Sequence, residues 1–158
     1  MKSPVSIRKA ISDDANRIAS IARAAYAKNV PRLGREPPPM VADFLAQVAA
    51  GHVVVIEAGQ GIEGYMIAWP EADAYLIDNI AVDPAHQGQG LGRSLIEHAA
   101  AEAQRLKLLA VRLYTNVVMM ENLSMYARVG FVETHRATEE GFQRVHMRWN
   151  LRERGQQI

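Results

Sequence analysis

The chain has 158 residues, with 18 Lys plus Arg against 17 Asp plus Glu, a formal net charge of +1 and no cysteine. That length suits one domain with a real core, and the balanced charge gives no strong pull toward nucleic acid or a membrane surface. The absent thiols exclude disulfides, thiolate metal sites and a cysteine nucleophile; no apolar run approaches the roughly 18 residues of a membrane span, and MKSPVSIRKA lacks a secretory leader pattern, all of which fits a cytoplasmic protein.

Val5 to Ala10 reads as a first strand. Ser12 or Asp13 is expected to cap a helix reaching about Lys28, with Ile18, Ile21, Ala22 and Ala25 as its apolar stripe. Val30 to Pro39 (VPRLGREPPP) carries four prolines and a glycine, which argues against helix or inner strand. It is either a rigid connector or a loop beside an acceptor site, where Tyr26, Arg32 and Arg35 offer polar and cationic groups. Met40 to Ala50 reads as a short helix with Met40, Phe44, Leu45 and Val48 inward. His52 to Ala58 is a β-branched strand, Gly59-Gln60-Gly61 a turn, and Ile62 to Trp69 a returning strand that ends at Pro70.

Tyr75 to Val82 is the next strand, interrupted by Asp78-Asn79 and closed by Asp83-Pro84. A helix follows from Leu91 to about Lys107, with Leu91, Leu95, Ala99, Ala103 and Leu106 on one face. Ala110 to Tyr114 is a strand, Met120 to Val129 a helix stopped by Gly130, and Phe131 to His135 and Arg144 to Leu151 the last strands. The order β-α-α-β-β-β-α-β-α-β-β predicts an α/β protein with a mixed sheet and helices on its faces. A single domain over residues 1–152 and a polar tail over 153–158 are expected.

Between strand and helix, Gly88, Gly90 and Gly92 fall at alternate positions. Alternating glycines permit positive φ and close approach of a ligand to the backbone. The helix that follows has no acid in its first turn; its first is Glu97, and Arg93 stands where a cation is unfavourable. A glycine-lined helix start without its own acid suits an external anion such as a phosphate. A Walker loop would need Lys-Ser/Thr after the last glycine, and a dinucleotide fingerprint a G-x-G-x-x-G run with an acid about 20 residues on; neither is present, which weakens a nucleotide-binding reading.

The pattern Gln87-x-x-Gly90-x-Gly92 after a strand ending Val-Asp-Pro resembles the acyl-CoA signature of the GNAT N-acetyltransferase superfamily. Glu121 to Phe131 (ENLSMYARVGF) resembles its second conserved block, an Asn and a Tyr on a helix followed by Gly-Phe. The resemblance covers roughly residues 76 to 131 and implies a GNAT-like acyl-CoA N-acyltransferase fold, acetyl-coenzyme A as cofactor, and transfer of its acetyl group to a primary amine of a small molecule or peptide. It implies a pyrophosphate on Gln87, Gly88, Gln89, Gly90, Leu91, Gly92 and Arg93, and pantetheine amides on a splayed strand edge at Ile80, Ala81 and Val82. It also implies Tyr126 as the donor to the departing thiolate.

Asn122, one turn before Tyr126, or Asn116 at a strand end would reach the cofactor, because the position seven before the Tyr, often Asn in relatives, is Met119. Asp78 is the candidate general base, directly or through water, from its place on the strand beside the thioester; the alternative is that it points outward or holds a bulge. Tyr126 has the alternative of a core residue, and the chain that of a non-catalytic acyl-CoA-binding module. The five histidines show no metal-ligand spacing and read as surface or capping residues, so no metal is expected. The expected partner is the amine acceptor, with neither nucleic acid nor membrane, and a homodimer is open.

Overall fold

Residues 4–59 and 61–151 are described in the computed structural model of the chain. The polar tail expected over 153–158 lies outside them, as does Gln60 of the expected Gly-Gln-Gly turn. The chain divides into two compact units, one of Met1–Ala68 with Asn79–Ile96 and one of Trp69–Asp78 with Glu97–Ile158.

The first unit begins with strand β1 (Val5–Lys9) and a 3-10 turn at Ser12–Asp14 leading into helix α1 (Ala15–Tyr26). Neither Ser12 nor Asp13 caps this helix, contrary to the sequence reading. The Asp14 carboxylate instead accepts from the Ile11 N–H at 2.8 Å and from Arg8 Nη1 at 2.8 Å, so it reaches back along the chain and across to β1. Ile18, Ile21 and Ala22 of α1 are buried as expected.

The proline-rich stretch is more ordered than its composition suggests. Val30–Leu33 forms a one-turn helix, α2, ended by Gly34 at φ 76°, and Pro38–Val41 forms a 3-10 turn. Proline is tolerated here because first-turn N–H groups have no intrahelical acceptor to lose. Helix α3 is shorter than expected, Phe44–Ala49, since Asp43 caps it by accepting from the Ala46 N–H at 3.0 Å. Phe44 and Met40 are buried, whereas Leu45 faces outward.

Strands β2 (Val53–Ala58) and β3 (Ile62–Glu71) pair antiparallel, with a register shift at Ile56/Glu57, and β1 pairs antiparallel with β2 from Val5↔Ala58 to Lys9↔Val54. β3 continues through Pro70, which the sequence reading took as its end; Pro70 is exposed near the strand terminus, where a missing N–H is tolerated. Strand β4 (Ala74–Val82) follows. Gly64 of β3 is required by packing: a Cβ there would lie 3.0 Å from the Ala81 carbonyl oxygen and 3.0 Å from Ile56 Cγ2. Helix α4 (Leu91–Arg105) starts in this unit, where Leu91, Leu95 and Ile96 are buried.

The second unit takes the start of β4, the rest of α4, strand β5 (Ala110–Asn116), helix α5 (Met120–Val129) and strands β6 (Val132–Glu139) and β7 (Phe142–Asn150). β4 runs parallel to β5 from Ala74↔Ala110 to Ile77↔Leu113; β5–β7 and β6–β7 are antiparallel. The strand order is β1-β2-β3-β4-β5-β7-β6, a mixed seven-stranded set as the element order predicted. Ala99 and Ala103 of α4 are buried, but Leu106 is 39% exposed because the helix ends at Arg105. Gly130 ends α5 at φ 133°, and a Cβ there would meet Trp149 Nε1 at 2.9 Å, so both conformation and space demand glycine. Among the described residues no helix is long and apolar enough to cross a membrane.

Candidate active site

In the first unit the turn between β4 and α4 is built from the Val-Asp-Pro end of the strand. Asp83 accepts from the Ala85 N–H at 3.0 Å and caps the 3-10 turn Pro84–His86. The same carboxylate takes an ion pair from Arg17 of α1 at 2.8 Å, and the hydrogen bond from this Arg holds the Asp83 carboxyl pKa below the usual carboxylate range. Arg17 Nε also donates to the Ile62 carbonyl at 3.0 Å, and His86 Nδ1 lies 3.5 Å from the buried Glu63 carboxylate. The turn is thus fastened at both flanks.

Gly88 and Gly90 adopt φ of 82° and 80°, and a Cβ at either would have nothing within 4 Å. Gly92 lies inside α4 without positive φ, and its Cβ would rest on Val82 Cγ2 at 3.8 Å. Gln87, Gly88, Gln89 and Gly90 are exposed, Leu91 is buried, and Arg93 is exposed. The first turn of α4 contains no acid, as read from the sequence. These residues fit a bound pyrophosphate: the glycines leave open space and the helix start carries uncompensated N–H dipoles.

The edge of β4 fits a ligand bearing amides. Its ladder with β5 ends at Ile77, while the strand itself runs on to Val82. The Ala81 carbonyl faces Gly64 of β3, and strand alternation turns the Ile80 and Val82 carbonyls to the other edge. There Ile80 accepts from the Tyr26 hydroxyl at 3.1 Å, and Val82 from Gln87 Nε2 at 3.2 Å.

Tyr26 is buried and touches Asn79 as well, at 3.1 Å. Asn79 is a hub that the sequence reading passed over as half of an interruption. Its Oδ1 also accepts from the Tyr65 hydroxyl at 2.8 Å, and its Nδ2 donates to the Pro39 carbonyl at 3.0 Å. One buried amide thereby ties β4 to α1, β3 and the proline-rich stretch. A polar residue inside an apolar strand run was the available signal. Arg32 and Arg35 are exposed on that stretch, and Arg32 Nη1 lies 3.5 Å from Asn29 Oδ1.

The second unit carries the other candidates. Tyr126 is 5% exposed, stands edge-on to Phe131 with ring centroids 5.8 Å apart, and its hydroxyl has no hydrogen-bond partner among the described residues. Burial pushes its phenol up to about 12. Asn122 is half-buried, with Nδ2 3.8 Å from Met119 Sδ. Asn116 ends β5, and its Oδ1 accepts from the Val118 N–H at 3.1 Å, so this side chain shapes the turn into α5.

Asp78 is half-buried and its Oδ1 accepts from the Tyr114 hydroxyl at 2.6 Å. Tyr114 escaped the sequence reading because an aromatic at a strand end has an ordinary packing role. The guanidinium carbon of Arg144 lies 4.8 Å from the Tyr114 ring centroid. His146 is not the surface residue expected. It stacks on His135 at 4.2 Å across the last hairpin, its Nε2 lies 3.0 Å from Glu139 Oε1, and its buried Nδ1 has no partner among the described residues. Among those residues no group of three or more His, Cys, Asp or Glu has metal-holding geometry.

Comparison with known proteins decides the family. The model of the acetyltransferase (GNAT) domain matches residues 49–133, more than half of the chain. This chain belongs to the GNAT family. Ribosomal protein bS18-alanine N-acetyltransferase of Escherichia coli K12 is 36% identical over 61 residues, 39% of this chain and 41% of that protein. The matched stretch therefore spans about two fifths of the length of that curated relative. The crystal structure of the Escherichia coli enzyme of that name superposes with a TM-score of 0.70 at 19% identity, covering 98% of this chain and 99% of the other. PaiA N-acetyltransferase from Thermoplasma acidophilum, in complex with coenzyme A, gives 0.75 at 14% identity, covering 94% and 99%. At these identities the two structures establish the fold, and the GNAT fold expected from the sequence is the one found.

Proposed function

We propose that this GNAT protein is an acetyl-CoA-dependent N-acetyltransferase acting on the primary amine of a peptide, protein or small molecule. Membership of the family and the coenzyme A held by the PaiA neighbour support the cofactor. The name of the bS18-alanine relative supports a peptide or protein amine as acceptor.

The observation that carries catalysis over mere binding is the Tyr126 hydroxyl. Its residue is buried, and the hydroxyl stays protonated at neutral pH and has no hydrogen-bond partner among the described residues. A phenol so placed is a proton donor without a structural hydrogen bond to give up.

In this reading the backbone N–H groups from Gln87 to Gly92 hold the pyrophosphate, with Arg93 beside them, and the Ile80–Val82 edge takes the pantetheine amides. Gln87 and Tyr26 then give up their bonds to Val82 and Ile80 as ligand amides replace them. Asn122, or Asn116 at the strand end, adds a side-chain contact. When bound, acetyl-CoA supplies an acetyl group activated as a thioester. An alkylammonium has a pKa near 10.4, so only about one amine in 2,500 is nucleophilic at pH 7. Asp78 accepts the amine proton, directly or through water, as the C–N bond forms and the C–S bond breaks. Tyr126 donates its proton to the leaving sulfur and regains one from solvent. Arg32 and Arg35 face the acceptor. The reading includes a cytoplasmic setting and one or two copies of the chain per particle.

The test is release of free thiol when protein and acetyl-CoA meet a panel of peptide α-amines, lysine side chains and small amines, with the acetylated product identified by mass spectrometry. Product at one acceptor class supports the proposal. Tight acetyl-CoA binding with no product across the panel favours a non-catalytic module instead.

A further inference from the structure

The β4–β5 ladder closes at Ile77↔Leu113, and the next residue on each strand is Asp78 and Tyr114. Their side chains meet where backbone pairing stops, through a 2.6 Å O–H···O bond. That length lies in the range of charge-assisted bonds from a hydroxyl to a carboxylate. The bond engages Oδ1, and among the described residues Asp78 has no second hydrogen-bond partner. The Tyr114 ring is itself held. Arg144 of β7 stands over it, kept there by carboxylates of Glu139 and Glu140 each 3.7 Å away. The His146 ring, also of β7, lies 5.6 Å from it and stacks in turn on His135 of β6.

We infer that Tyr114 is a positioning residue for the acetyl transfer: it fixes the Asp78 carboxylate through Oδ1 and leaves Oδ2 to take the amine proton. This rests on Asp78 acting as the base. The geometry answers a definite need. A short carboxylate at the end of a ladder has free χ rotations, and a base that wanders by 1 Å loses much of its effect. The group bonded to the carboxylate is a neutral hydroxyl, whereas a cation there would compete with the incoming ammonium. Burial, followed by the hydrogen bond to Asp78, raises the Tyr114 phenol above its ordinary value, so it remains a donor throughout the neutral range.

The experiment is a double-mutant cycle on kcat with acetyl-CoA and the best acceptor, using Tyr114→Phe, Asp78→Asn and the double variant. Tyr114→Phe should bind acetyl-CoA within threefold of the parent, keep the acceptor KM within threefold and lose roughly 10- to 100-fold in kcat. On the Asp78→Asn background the same change should cost less than twofold, because the residue acts only through the carboxylate. An activity-free readout accompanies it: alkaline tyrosine absorbance, taken as the difference between each protein and its Tyr114→Phe counterpart, should show Tyr114 ionising at lower pH once Asp78 is Asn.

If Asp78→Asn retains full kcat, the base assignment fails. If Asp78→Asn is impaired while Tyr114→Phe retains full kcat, only the positioning role fails. Equal losses on both backgrounds, or a loss in acetyl-CoA affinity matching that in kcat, would make Tyr114 a structural residue and overturn the inference.

Discussion

Tyr126→Phe separates packing from proton donation. The ring stays against Phe131, and the hydroxyl removed has no described partner to leave unsatisfied. Stability at pH 7 should therefore change by less than about 1 kcal/mol. The rate should not be spared. An interaction formed mainly in the transition state is lost, so kcat should fall by roughly 10- to 1000-fold, or about 1.4–4 kcal/mol, with acetyl-CoA affinity nearly unchanged.

Burial also gives an equilibrium signature. The phenol ionises near 10 in the unfolded chain and is pushed up to about 12 in the fold. Its contribution is fully present below pH 10 and is lost as pH rises toward 12, because the unfolded state releases the proton first. The loss is about 2–3 kcal/mol across that window. Urea unfolding at pH 9 and pH 11 should show a smaller alkaline loss in the Phe variant than in the parent. Pre-steady-state quench-flow reports the chemical step. Full single-turnover rate in Tyr126→Phe would refute the donor role, and identical alkaline stability curves would refute the burial argument.

The two glycines of the turn should respond in opposite ways. Gly92→Ala should raise stability by about 0.5–1 kcal/mol and keep acetyl-CoA affinity within threefold, since its Cβ rests on Val82 and helix propensity improves. Gly90→Ala should cost about 1–2 kcal/mol for its φ of 80° and weaken acetyl-CoA at least tenfold by re-aiming the N–H groups; thermal melts with and without ligand distinguish the two. Asn79→Ala should cost about 1–3 kcal/mol by removing the hydrogen bonds from the Tyr65 hydroxyl and to the Pro39 carbonyl, and hydrogen exchange should rise selectively across residues 30–41. Asp14 is held below the usual carboxylate range by its bond from Arg8, so its contribution is present above about pH 4 and is lost as pH falls further. Asp14→Asn should remove about 1 kcal/mol at pH 7 and flatten that acid limb in chemical denaturation.

What the sequence determined by itself is what a few neighbouring residues decide. Alternating glycines and a helix opening without an acid are local facts, and they single out the turn proposed above to take the pyrophosphate. The same holds for the β-branched strand β2 and for Gly130 ending α5. Tyr126 stood out through a motif eleven residues long, and its spacing from Asn122 is a property of one helix.

Tertiary structure decided the pairings. Tyr114 meets Asp78 across 36 positions, Tyr26 meets Asn79 across 53, and Arg17 meets Asp83 across 66. None of these partners carries a periodic signature, because a hydrogen bond between distant residues constrains only two side chains and leaves the residues between them free. The same reason accounts for the misplaced cap at Asp14, whose partner Arg8 sits on another element. It also accounts for the proline-rich stretch: composition forbids a long helix there, but the order it does have includes an anchor at the Pro39 carbonyl, supplied by an amide 40 residues further along the chain.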